Sequence, residues 1–169
     1  MSVQPPPRAF SPFNSPIEIG LRALAVLNDA FPAAYSLQRL VIFDYLIVHS
    51  DDVPGGPIGL HPKTPRRMGE LLVRRGVFHQ GLLLYQSRGL VERIFNLEGV
   101  SFGATELSAA FLDALTSGYI LDLRDRAAWI VKTFGDLREY ELQEIVRDHV
   151  GQWGAEFEFE SVLWSEDER

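Results

Sequence analysis

The chain has 169 residues, enough for one domain with a real core, and carries a formal net charge of −7 at pH 7. That charge argues against broad, non-specific nucleic-acid binding. The absence of cysteine excludes disulfides and thiolate zinc sites and fits the cytoplasm. The opening MSVQPPPRAFSP lacks the apolar run of a signal peptide. The best apolar run, Leu40–Val48, is broken by Asp44 and is too short to span a bilayer, so no membrane role is expected.

Residues 1–12 are proline-rich and read as an extended N-terminus. Ser15-Pro16-Ile17-Glu18 combines an N-cap side chain with proline at the first helical position, so a helix is expected from there to about Ala30. Its apolar residues form two stripes: Ile17, Leu21, Leu24 and Phe31 on one side, Ile19, Ala23, Val26 and Ala30 on the other. Glu18, Arg22 and Asp29 mark a narrow wet edge between them. A helix apolar on two sides belongs in the centre of a core or beneath a partner.

Ser36 caps a second helix, Leu37–Ser50, apolar almost all round. Asp44 projects among Leu37, Leu40, Val41 and Val48, where a carboxylate needs a partner. Helical projection places Arg75 on the apolar stripe of the following helix. It is the first candidate for a structural ion pair with Asp44, and Arg67 is the second. The loop after this helix holds His49, Asp51, Asp52 and His61, a donor set for a metal or a hydrolase. The spacing matches no zinc pattern, so the expectation is a turn with no metal and no cofactor.

The stretch Thr64–Thr105 organises the chain. Thr64-Pro65 starts a helix that Gly76 can end. Val77–Arg88 forms a second, with Gly89 as its left-handed cap. Two β-type runs follow, Leu90–Phe95 and Val100–Ala104, joined by a turn at Asn96-Leu97-Glu98-Gly99. Helix, turn, helix, hairpin, helix is the order of a winged helix. The chain is therefore expected to be mainly α with a small β hairpin: a winged-helix-like domain over 13–154 with additional N- and C-terminal helices. A DNA-reading helix needs Arg, Lys, Asn and Gln, yet Val77–Arg88 offers only His79, Gln80, Gln86 and a terminal Arg88. Glu98 stands where a DNA wing wants a cation. That combination points to a winged helix used for protein contact.

Lys63, Arg66, Arg67 and Arg74, with Arg75, form the one dense basic cluster, either a solvated helix face or a contact surface for an acidic partner or a phosphate backbone. Beyond the hairpin, a helix is expected from Thr105 to about Leu115, broken by Gly118; a longer one follows with Ile120, Leu123, Ala127, Ile130, Val131 and Phe134 on one face, ended by Gly135; another runs from Asp136 to Trp153. The end of the chain, 155–169, is acidic and aromatic. Phe157 and Phe159 alternate with Glu156, Glu158 and Glu160, and Trp164 follows, the pattern of a docking strand. No nucleophile–base set, HExxH or dinucleotide fingerprint is present in the sequence, which lowers the expectation of an enzyme.

Three segments, FNSPIEIGLRALAVLND (Phe13–Asp29), LQRLVIFDYLIVHSDDV (Leu37–Val53) and LHPKTPRRMGELLVRR (Leu60–Arg75), resemble the second type of middle-component protein of bacterial ABC-three-component systems. The small accessory subunit of Lamassu-type antiphage defence is similar. The resemblance covers roughly residues 13–134. It implies a non-enzymatic, cytoplasmic subunit that bridges an SMC/Rad50-like ABC ATPase and an effector, often a nuclease, and meets DNA only through the complex. It carries no catalytic residues over. The other readings are a winged-helix DNA-binding transcriptional regulator and a hydrolase built on His49, Asp51, Asp52 and His61.

Overall fold

A computed structural model describes residues 15–61 and 68–149. Its elements in chain order are α1 (Pro16–Ala30), β1 (Ala34–Ser36), α2 (Leu37–Val48), a 3₁₀ turn (Ser50–Asp52) and α3 (Met68–Ser87). These are followed by β2 (Val91–Asn96), β3 (Gly99–Ala104), α4 (Ser108–Asp113), α5 (Gly118–Phe134) and α6 (Glu139–His149). The described residues are thus mainly helical, with one three-stranded antiparallel sheet in the order β1-β3-β2.

The caps expected from sequence are in place. The Ser15 side chain accepts from the amide of Glu18 with Pro16 at the first helical position, and the Ser36 side chain accepts from the amide of Arg39. Ser117, a cap not foreseen from sequence, accepts in the same way from the amide of Ile120 at the start of α5. Gly89 sits at φ 72°, the left-handed position after α3 where a side chain would be strained.

Three expectations need correction. Gly76 does not end a helix: α3 runs unbroken from Met68 to Ser87. A mid-helix glycine costs only about 1 kcal/mol relative to alanine, and burying Phe78, Leu82 and Tyr85 outweighs that. α4 starts at Ser108 rather than directly after Thr105; the Thr105 hydroxyl donates to the carbonyl of Gly89 and accepts from the amide of Leu107 in the turn before the helix. β1 was not foreseen. It lies between α1 and α2 and pairs with β3 through Tyr35 and Phe102.

α1 is the central helix, packing against α2, α3, α4, α5 and the sheet. Ile19 and Ala23 through Leu27 are all buried, as its two-sided apolar pattern requires. The ends of one stripe do not follow the pattern, since Ile17 and Phe31 are exposed. α1 and α3 cross at a pair of glycines. A Cβ on Gly81 would lie 2.7 Å from the carbonyl oxygen of Pro16 and 2.9 Å from the amide nitrogen of Gly20. Every residue of α2 from Arg39 to Val48 is buried, and α5 closes the core with Ile120, Leu123, Ala127, Ile130 and Phe134. No helix among the described residues is long and apolar enough to cross a membrane.

Candidate functional site

Two polar sets are built into this frame. The first is buried where α1, α2 and α5 meet. Arg22, read from sequence as part of a wet edge, is only 1 % exposed. Its Nε donates to Asp44 Oδ1 at 2.5 Å and its Nη2 donates to Asp44 Oδ2 at 3.2 Å, a forked pair between α1 and α2. Glu18 Oε2 stands 3.9 Å from the same guanidinium, one turn earlier on α1. Burial works against the charge on Arg22, but Asp44 outweighs it and Tyr119 adds a further hydrogen bond, so the guanidinium is held above its ordinary value. Burial raises the Glu18 carboxyl against the opposing pull of Arg22. Burial also raises the Tyr119 phenol, again opposed by Arg22. The cluster ties α1, α2 and α5 together. It fixes the angle between helices.

Tyr85 adds a related contact, its hydroxyl donating to the carbonyl of Ile17 at 2.8 Å. Burial, then the charge of Glu18, push its phenol up to about 12. A raised folded pKa means that the neutral phenol's contribution is complete below the unfolded value of about 10 and is lost as pH rises through about 12. Ultraviolet titration of the phenolate band should therefore lose a late step, one that coincides with alkaline unfolding, in Tyr85→Phe, while the raised ionisations of Tyr35 and Tyr119 remain. An unchanged late step in that variant would contradict the assignment.

The second set lies at the surface. Arg39 reaches from α2 to the α5–α6 corner, donating to the carbonyl of Gly135 at 3.0 Å and to the carbonyl of Leu137. Its guanidinium also lies 5.4 Å from the Tyr35 ring centroid and 5.8 Å from that of Phe43. The Ser36 hydroxyl donates to Glu139 Oε1 at the start of α6. Beside this clamp opens a cleft of about 660 Å³, walled by β1, the hairpin tip (Asn96, Glu98, Val100) and the corner residues Leu137–Glu139. The hairpin projects past β1 and ends in apolar side chains. Phe95 is 73 % exposed, Leu97 is fully exposed, and the Arg93 guanidinium lies 5.3 Å from the Phe95 ring centroid.

The loop donors are folded into the domain. Tyr45 donates to Asp52 Oδ2 at 2.5 Å, and His61 Nε2 lies 3.0 Å from the Tyr119 hydroxyl. His49 is buried against the Tyr45 ring, and Ser50 donates to the carbonyl of Pro57 at 2.9 Å. Among the described residues no group of three metal-capable side chains converges.

Of the basic cluster, Lys63, Arg66 and Arg67 lie outside the described residues, and for Arg74 only the helical backbone position is described. Phe157, Phe159 and Trp164 also lie outside them. Asp44 is buried as expected. The sequence reading missed Arg22 as its partner. The available signal was that Arg22 sits between two apolar stripes, where a helix packed on both sides has little water left to offer.

A family model for the ABC-three component (ABC-3C) system Middle Component 2 matches residues 12–156. Neither the curated proteins nor the solved structures give a match.

Proposed function

Because the chain belongs to the Middle Component 2 family of ABC-three-component systems, we propose that it is a non-enzymatic accessory subunit of an antiphage defence complex. In this reading it bridges an SMC/Rad50-like ABC ATPase and an effector protein and meets DNA only through the assembled complex. The relation to the Lamassu accessory subunit is part of the same proposal. Beyond the family, the observation that carries it is the hairpin tip. Phe95 and Leu97 present apolar surface to solvent, and the turn carries Glu98 rather than a cation. Exposed apolar side chains on a projecting hairpin suit a protein contact, whereas phosphate contact wants Arg or Lys.

We read the core as winged-helix-like. Support comes from the element order α1-β1-α2-α3-β2-β3 with the sheet order β1-β3-β2. The β2–β3 hairpin then takes the place of the wing and α3 that of the reading helix. The face α3 leaves exposed in its second half holds His79, Gln80, Leu83 and Ser87, with one cation, Arg88, just past its end. That composition favours the accessory-subunit reading over a DNA-binding regulator.

The basic cluster Lys63, Arg66, Arg67 and Arg74 is proposed as one partner contact and the tail residues Phe157, Phe159 and Trp164 as another. Arg75, half-buried on α3, is kept as a second cation for Asp44 beside Arg22, since α2 and α3 pack together. The test is co-purification with the ATPase and effector of the same system. Arg66→Glu with Arg67→Glu should abolish assembly while the variant retains its helical circular dichroism and melting temperature. Unchanged assembly would reduce the cluster to a solvated helix face.

A further inference from the structure

Among the described residues β2 is an edge strand of the sheet. Among the described elements only β3 and α3 pack closely on it, and Glu92, Arg93, Phe95 and Asn96 are exposed. The hydrogen bond from the Thr105 amide to the Leu90 carbonyl, 3.1 Å, extends the β2–β3 register. Along that register Glu92–Gly103, Ile94–Ser101 and Asn96–Gly99 are the bond-exchanging pairs. The amides of Val91, Arg93 and Phe95 therefore point away from β3, toward the free edge. An edge six residues long with one cation and one acid is weakly defended against strand addition.

The chemistry of the edge narrows what can sit there. Two copies pairing symmetrically through these three amides would set Arg93 directly against Arg93 of the second copy, a like-charge pair. The chain carries a better complement in Glu156–Glu160, which alternates Glu and Phe at strand period. With Glu158 beside Arg93, its three glutamates lie on the face of Val91, Arg93 and Phe95, where Arg93 and Phe95 are exposed and Val91 is buried. Phe157 and Phe159 then share the opposite face with Ile94, which lies over the bare surface of Gly103. Reach permits this. α6 begins beside the hairpin tip, with Glu139 and Glu98 on one cleft. Its 11 residues rise about 16 Å, and residues 150–155 extend up to about 20 Å, enough to return.

We propose that Glu156–Glu160 of the chain itself adds to the free edge of β2 as a fourth strand, pairing Glu158 with Arg93. This deepens the reading of the tail as a contact segment. The paired strand holds the tail against the domain and leaves Trp164 beyond it for a partner. Covalent connection supplies the local concentration that a lone strand in water lacks.

Hydrogen exchange on the isolated full chain tests it. The amides of Val91, Arg93 and Phe95 should exchange at least about tenfold more slowly in the native chain than in Phe157→Ser with Phe159→Ser, while those of Glu92 and Ile94 stay unchanged. Arg93→Glu should lose the protection, and Arg93→Glu combined with Glu158→Arg should restore it. Equal exchange of the three amides in native and variant chains overturns the proposal. So does protection that grows with protein concentration, which would mean a second copy, and so does protection that needs the ATPase or effector. The measurement uses no other component, so failure of the family-based function leaves its outcome untouched.

Discussion

Asp44→Ala should cost about 3–5 kcal/mol of unfolding free energy, a large part of the stability of a domain this size. The cost arises from what is left behind. Arg22 is buried at 1 % exposure, its guanidinium is held charged by Asp44, and the Glu18 carboxylate stands farther off at 3.9 Å. Removing the carboxylate strands that cation between α1 and α2. Denaturant unfolding measures the loss, and a value below about 1 kcal/mol would show that Glu18, Tyr119 or a second cation arrangement carries the site. The double replacement Arg22→Met with Asp44→Leu should recover most of it, because a well-packed apolar pair avoids the desolvation of both charges.

Gly81→Val should cost about 3 kcal/mol or more, at the upper end of what overpacking produces. The first atom of the new side chain would stand 2.7 Å from Pro16 O and 2.9 Å from Gly20 N. Both are backbone atoms of α1, so relief requires the whole helix to move off α3. The loss would spread to Tyr85, whose hydroxyl holds Ile17 and whose ring lies 2.5 Å from where a Cβ on Gly20 would be. Gly76→Ala is the matched control on the same helix. A Cβ there meets nothing within 4 Å, so the variant should gain up to about 1 kcal/mol of helix propensity. A mild effect at Gly81 or a loss at Gly76 would contradict this account of the crossing.

The sequence carried α1, α2, α5 and the hairpin clearly, because each has a strong local signal. Ser15-Pro16 and Ser36 announce starts, and Ile120, Leu123, Ala127, Ile130 and Phe134 keep one helical face. It misled at Gly76, where local propensity gave way to the packing of Phe78 and Leu82 under α1. β1 was hidden because a three-residue strand has no period to read, and its existence depends on Phe102 far along the chain. In the buried pair one half was legible. Asp44 among apolar residues demanded a cation, but which cation depends on how α1 turns toward α2, and projection of single helices carries no such information. The surface cleft at Arg39 was invisible for the same reason, since its acceptors are backbone carbonyls at Gly135 and Leu137.

The position of β1 has a consequence for the order in which the chain is made. Tyr35 pairs with Phe102, 67 positions later, and Arg39 clamps carbonyls 96 and 98 positions later. A ribosome therefore releases α1 and α2, the most apolar part of the molecule, well before the hairpin and α5 exist to cover them. The Arg22–Asp44 pair, only 22 positions apart, can close within that early segment and hold the two helices at their final angle. The rest of the core must wait, since contacts of long sequence separation form late. The nascent chain thus passes through a stage in which Leu40 to Val48 is synthesised and uncovered. At that stage chaperones, or a partner subunit already present, have their opportunity to bind it.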